Sequence, residues 1–184
     1  MGRKGDGSVN RQFFNTLVAQ CQSPPSNLLN LDSREVVNFG ANDNTSKRSF
    51  TGKGIIKGYS YNNYYNQQSV TSFEKFKSGF SFANVSNQNA YGIGFDLRSA
   101  PNISYAVRYD GLMETTRSAV FMTEYDIDGN LLKYVLGGER DENIKARVFT
   151  TGENTAWVVF SFQNPPDAET STVVYNDVSI TLVS

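Results

Sequence analysis

From residue 31 onward, apolar and polar positions alternate with a period of two, in short runs separated by Gly, Asn, Asp and Pro. Tyr91, Ile93, Phe95 and Leu97 alternate with Gly92, Gly94, Asp96 and Arg98. Ile103, Tyr105, Val107 and Tyr109 alternate with Ser104, Ala106, Arg108 and Asp110. In an extended chain successive side chains point to opposite faces, so this pattern predicts strands with one face buried. Further strands are expected over 35–39, 54–60, 69–75, 79–85, 119–126, 131–136, 144–151, 155–163 and 172–183. Asp128-Gly129, between Tyr125 and Leu131, predicts a two-residue type I′ hairpin with positive φ at both positions. No helical period interrupts the series, so the expected fold is all-β, an antiparallel sandwich or barrel. Within 156–162, Trp157, Val159 and Ser161 share one face and Val158, Phe160 and Phe162 the other. The second set is the better core, which puts Trp157 on the outer or concave face.

The period changes near the start of the chain. Val9, Phe13, Leu17 and Cys21 recur every four residues, with Phe14 and Val18 beside them, a short amphipathic helix with Ser8 as its N-cap. Pro24 and Pro25 stop it, because proline cannot continue the backbone ladder. Residues 1–26 are therefore expected to form an arm, and 27–184 the β-sandwich domain. So short a helix is not stable alone, and Val9, Phe13, Phe14, Leu17 and Val18 must dock on the sandwich, on a second copy or on a partner.

Composition excludes more than it assigns. The 184 residues contain no His, which removes Ser-His-Asp and Cys-His triads and His-based zinc sites. A single Cys allows no internal disulfide and no multi-Cys metal site. A net charge of −1 gives no reason to expect nucleic acid, and the basic stretch Lys47, Arg48, Lys53 and Lys57 is expected to be a solvated edge. No apolar run reaches membrane-spanning length, and residues 1–20 lack the apolar core of a signal peptide, so synthesis without export is expected. The sequons at Asn44, Asn84 and Asn102 then read as chance matches.

The order of pieces in 27–184 resembles the carbohydrate-binding-module-like jelly rolls of bacteriophage virion and tail proteins. The motifs carrying this resemblance are Tyr91-Gly-Ile-Gly-Phe95, Pro101-Asn-Ile-Ser-Tyr105, Tyr125-Asp-Ile-Asp-Gly-Asn130, Val148-Phe-Thr-Thr151, Ala156-Trp-Val-Val-Phe-Ser-Phe162 and Val174-Tyr-Asn-Asp-Val-Ser-Ile180. Asn27-Leu-Leu-Asn30 is similar to the entry into such modules. These are turns and strands, so they speak for the fold more than for an activity. The resemblance implies a virion protein, either capsid or tail, whose jelly roll binds host-surface carbohydrate. It also suggests that Asp177 sits where related modules hold a structural calcium.

Tyr59, Tyr61, Asn62, Asn63, Tyr64 and Tyr65 form the densest polar-aromatic segment. Sugars stack on aromatic rings while amides bond their hydroxyls. Tyrosine is equally suited to protein interfaces and to capping a sandwich edge, and the three uses stay open. Trp157 is the other candidate sugar platform. Asp126, Asp128 and Asn130 space oxygens like the start of a calcium loop, but Leu131 and Gly137 stand where an EF-hand needs Gly and Glu, so a hairpin turn suffices. Glu114, Glu124, Asp126, Glu139, Asp141 and Glu142 are the carboxylates from which a glycosidase pair would have to come. The expectation is a non-enzymatic, multicopy virion surface protein with no catalytic residue, metal or cofactor. Its arm would contact other virion proteins, and its sandwich would bind glycan. A purely structural assembly protein is the alternative, and a polysaccharide-degrading enzyme the weaker one.

Overall fold

The computed structural model describes residues 26–38, 47–57, 70–84, 91–110, 119–136, 146–164 and 172–183. These contain β1 (Glu35–Asn38), β2 (Gly54–Lys57), β3 (Val70–Phe76), β4 (Gly79–Asn84), β5 (Tyr91–Arg98), β6 (Ser104–Asp110), β7 (Ala119–Tyr125), β8 (Leu131–Leu136), β9 (Ala146–Thr150), β10 (Trp157–Asn164) and β11 (Thr172–Leu182). Each falls on a run marked by the period-two alternation. The helix expected around Val9, Phe13, Phe14, Leu17 and Val18 lies outside the described residues.

The strands form two sheets, β1-β2-β5-β10-β7-β8 and β3-β4-β11-β6-β9. Four antiparallel pairs nest inside one another: β7 with β8, β6 with β9, β5 with β10 and β4 with β11. The chain from β4 to β11 is thus one long hairpin folded over on itself, with successive pairs in alternate sheets, which is a jelly roll. The β2 strand extends one sheet beside β5, and β3 the other beside β4.

The sandwich is antiparallel as expected, except at one edge, where β1 runs parallel to β2. Residues 39–53 separate the two strands, enough chain to return and start again in the same direction, which a tight turn could not do. The hairpin at Asp128-Gly129 also differs from type I′. Only Gly129 has positive φ (80°), and Asp128 does not. The Gly129 amide donates to the Asp126 carbonyl and the Asp126 amide to the Asn130 carbonyl, a type I turn closed by a left-handed glycine. One Asp126 carboxylate oxygen accepts the Asp128 and Asn130 amides at 2.9 and 2.8 Å, which holds Asp128 in an ordinary turn conformation.

Between the sheets, the alternation does what it predicts. Val158, Phe160 and Phe162 of β10 lie inward with Ile93, Phe95 and Leu97 of β5, Val120 and Met122 of β7, and Phe80, Phe82, Tyr175 and Ile180 opposite. The rings of Phe80, Phe162 and Tyr175 meet at centroid distances of 5.1–5.3 Å, where stacked and edge-on contacts add to area burial. At the entry, Leu28 donates its amide to Ile180, and Asn27 is stitched across β11. Its Oδ1 accepts the amides of Leu29 and Ile180, and its Nδ2 donates to the Val178 carbonyl. There β11 carries a bulge between Asn176 and Ser179, with Asp177 at φ 47°.

Candidate functional site

On the opposite side of β10, Trp157, Val159 and Ser161 point away from the main core. The register places Arg98, Asp96 and Gly94 of β5 on one side of them, and Tyr125, Thr123 and Phe121 of β7 on the other. A sandwich face of this kind is ordinarily solvated, yet Thr123, Val159 and Ser161 have no exposure at all. Part of the cover is a second small core in which Ile56, Tyr125 and Val159 pack with Val37, Phe50 and Trp157. Phe50 supplies the lid ring, 4.8 Å from Tyr125 and 5.8 Å from Trp157. The Thr123 and Ser161 hydroxyls under this cover have no hydrogen-bond partner.

A buried ion pair secures the segment bearing Phe50. The Asp96 carboxylate accepts the backbone amides of Thr51 and Gly52 at 3.0 and 3.3 Å, and also that of Gly54. Arg34 lies 3.7 Å from the same carboxylate and donates to the carbonyls of Asp96, Gly54 and Leu28. Burial pulls the Arg34 guanidinium below its ordinary value, and Asp96 partly offsets this. Neither ion can leave without stranding the other, so the pair is expensive to break and fixes where residues 50–54 run. At the hairpin apex, the Arg48 amide donates to the Gly129 carbonyl at 2.8 Å. Arg48 is itself buried, 6% exposed, so the expectation of a solvated basic edge fails at this residue, while Lys47 and Lys53 are exposed.

Trp157 stands at the end of this cover, half-buried, on the outer face as expected. Its ring is not a bare platform. Arg98, directly opposite in the ladder, holds its guanidinium carbon 4.7 Å from the ring centroid. Gly52 borders the ring, where a Cβ would lie 3.5 Å from Cζ3. The site is thus Arg98 over Trp157, with Phe50 and Gly52 beside it. Arg98 and Phe50 were missed from sequence. Arg98 reads there as one more outward charge on an alternating strand, and only the β5–β10 register puts it against the tryptophan.

The remaining candidates separate. Tyr59, Tyr61, Asn62, Asn63, Tyr64 and Tyr65 lie outside the described residues, as do Glu114, Glu139, Asp141 and Glu142. The second Asp126 carboxylate oxygen accepts the Asn130 side-chain amide at 2.7 Å. That bond, followed by those from the backbone, holds its carboxyl below the ordinary range. The turn itself therefore uses this group. Glu124 faces inward, buried, and its Oε2 accepts the Gly152 amide and the Thr155 hydroxyl, so it anchors the β9–β10 connection. Asp177 is exposed at the bulge of β11, and among the described residues no three His, Cys, Asp or Glu side chains gather to hold a metal.

No family model matches the chain, and no curated protein is similar enough in sequence to count as a relative. Among solved structures, the enzymatically active domain of bacteriophage CBA120 tailspike protein 4 aligns with a TM-score of 0.45 and 10% identity over 62% of this chain. The chain spans only 18% of that tailspike's length. The accessory secretory protein 1, 2 and 3 structure from Streptococcus pneumoniae aligns at 0.48 and 10% identity, over 64% of this chain and 87% of that one. TmCBM61, in complex with β-1,4-galactotriose, aligns at 0.35 and 8% identity, over 64% and 85%. At these scores the likeness assigns neither ligand nor activity to the chain.

Proposed function

We propose that the chain is a non-enzymatic, carbohydrate-binding β-sandwich of a virion surface, carried in many copies and attached through residues 1–26. The observation that carries the carbohydrate reading is the half-buried Trp157 on the outer sheet face, with Arg98 over its ring and Phe50 beside it. An indole edge next to guanidinium donors suits a ligand with both C–H faces and oxygen acceptors, which is the chemistry of a saccharide. The virion setting rests on the strand-and-turn order that resembles phage modules. Weak single sites become effective there because a particle presents many of them at once.

Trp157 is the only tryptophan in the chain, so its fluorescence reports the site directly. Titration with a saccharide from a positive glycan-array spot should shift or quench its emission, and Trp157→Phe should lose the spot. If no arrayed glycan binds, or binding leaves the emission unchanged, the carbohydrate reading of this site falls. A second reading is favoured by apolar side chains left in the open. Val148 on β9 is 65% exposed and Ile127 at the hairpin apex 62%, as suits an assembly protein that covers them with neighbouring subunits.

A further inference from the structure

The position of Arg98 narrows the class of saccharide. Arg98 is exposed, yet its side chain makes no hydrogen bond and no ion pair with the described residues. Asp96, two residues away on the same strand and face, would be its obvious partner. That carboxylate is already engaged by Arg34 and by the amides of Thr51, Gly52 and Gly54. What holds the Arg98 side chain is the Trp157 ring, 4.7 Å from the guanidinium carbon. The ring face that a neutral sugar would stack on is therefore occupied. What faces solvent instead is a planar cation with its N–H donors unused and its side chain already ordered on an indole. A guanidinium fork matches a carboxylate in two parallel hydrogen bonds, and ordering it in advance removes an entropic cost of binding. Lys53, which follows Gly52 in the chain, is also exposed.

We infer that Arg98 on Trp157 is a carboxylate-binding subsite and that its ligand is an acidic saccharide, bound by its carboxylate to the Arg98 fork. This rests on the carbohydrate reading above and specifies it. The test uses the full chain and matched pairs differing only in charge: trigalacturonate and its methyl ester, sialyllactose and lactose, and a hyaluronan hexasaccharide and its carboxyl-reduced form. Calorimetry at low salt should show at least one acidic member bound about tenfold or more tighter than its neutral partner, the scale of a charge-assisted hydrogen bond. That preference should shrink as sodium chloride is raised. Arg98→Gln should abolish the preference, and Arg98→Lys, which keeps the charge but not the fork, should retain part of it. Thermal melts of both variants should overlay the parent, since Arg98 is exposed. Acidic and neutral members bound equally would overturn the inference while the carbohydrate reading stands, and an acidic preference that survives in Arg98→Gln would do the same. Binding of none of the six, by parent and variants alike, would overturn the inference, and the glycan array then decides the broader reading.

Discussion

Gly129 and Gly52 share a backbone conformation and differ in what surrounds them, so replacing each by alanine separates strain from collision. Their φ values are 80° and 78°. A Cβ in the left-handed region costs roughly 1 kcal/mol at either position. At Gly52 the added methyl meets nothing closer than Trp157 Cζ3 at 3.5 Å, an ordinary contact, so strain is the whole cost. At Gly129 it would stand 1.8 Å from the Arg48 carbonyl oxygen, a backbone atom that cannot rotate aside. The segment bearing Lys47 and Arg48 must lift off the hairpin, losing the 2.8 Å bond from the Arg48 amide to Gly129 and wetting a buried arginine. A lost backbone hydrogen bond adds about 1 kcal/mol or more, giving about 1 kcal/mol for Gly52→Ala and about 2–3 kcal/mol for Gly129→Ala. For a chain of this size, each kcal/mol lowers the melting temperature by about 2–4 °C, so calorimetry should show drops near 3 °C and 7 °C. Asparagine tolerates left-handed φ, so Gly52→Asn should recover much of its loss and Gly129→Asn should not. Equal drops for the two alanine variants would refute the claim that the Arg48 segment lies across the hairpin apex.

Other measurements probe the core, the entry and the alkaline limit. Phe160→Ala empties a fully buried site between Tyr105 and Phe149, 5.3 and 5.7 Å from its ring. Urea unfolding should register a loss of about 3–5 kcal/mol, whereas Val148→Ser on the open face should stay within about 0.5 kcal/mol. Asn27→Ala removes two hydrogen bonds between the entry and β11 and one within the entry, to the Leu29 amide; it should cost roughly 1–3 kcal/mol and speed amide exchange at Leu29 and Ile180, and unchanged exchange there would contradict the stitching. Burial raises the phenol of Tyr105 and, more strongly, that of Tyr175, where the nearby Tyr109 adds to the effect. A raised folded value means this contribution is fully present below the unfolded phenol value of about 10 and is lost as pH rises through the folded values. Absorbance at 295 nm should therefore show tyrosines that ionise only as the protein unfolds, and a single unperturbed titration would contradict it.

Much of the fold is legible because each strand buries one face. Phe80 and Phe82, Ile93 and Phe95, and Phe160 and Phe162 announce their direction by spacing alone. What stays hidden depends on pairs distant in sequence. The parallel partnership of β1 with β2 leaves no mark in either strand, because period two is the same in both directions. The turn at Asp128-Gly129 was legible as a turn but not as to type, since the carboxylate of Asp126, outside the dipeptide, selects it. Arg34, Arg48 and Asp96 look like surface charges until the fold closes over them. The outer-face site is half legible: alternation puts Trp157 outside, while the arginine over its ring becomes visible only with the register.

The nested pairing also bears on how the chain reaches this state during synthesis. A five-residue turn, Asp126 to Asn130, closes β7 on β8, whereas β4 must wait for β11, from Asn84 to Thr172. Loop entropy rises from the inner pair to the outer one. A ribosome delivers the first halves of all four pairs before any second half, and then delivers the second halves from the inside out. Strands β4, β5 and β6 thus have open edges until late in translation, when unpaired edges invite pairing with other chains. Pulse-labelled amides should gain protection first in β7 and β8 and last in β4 and β11.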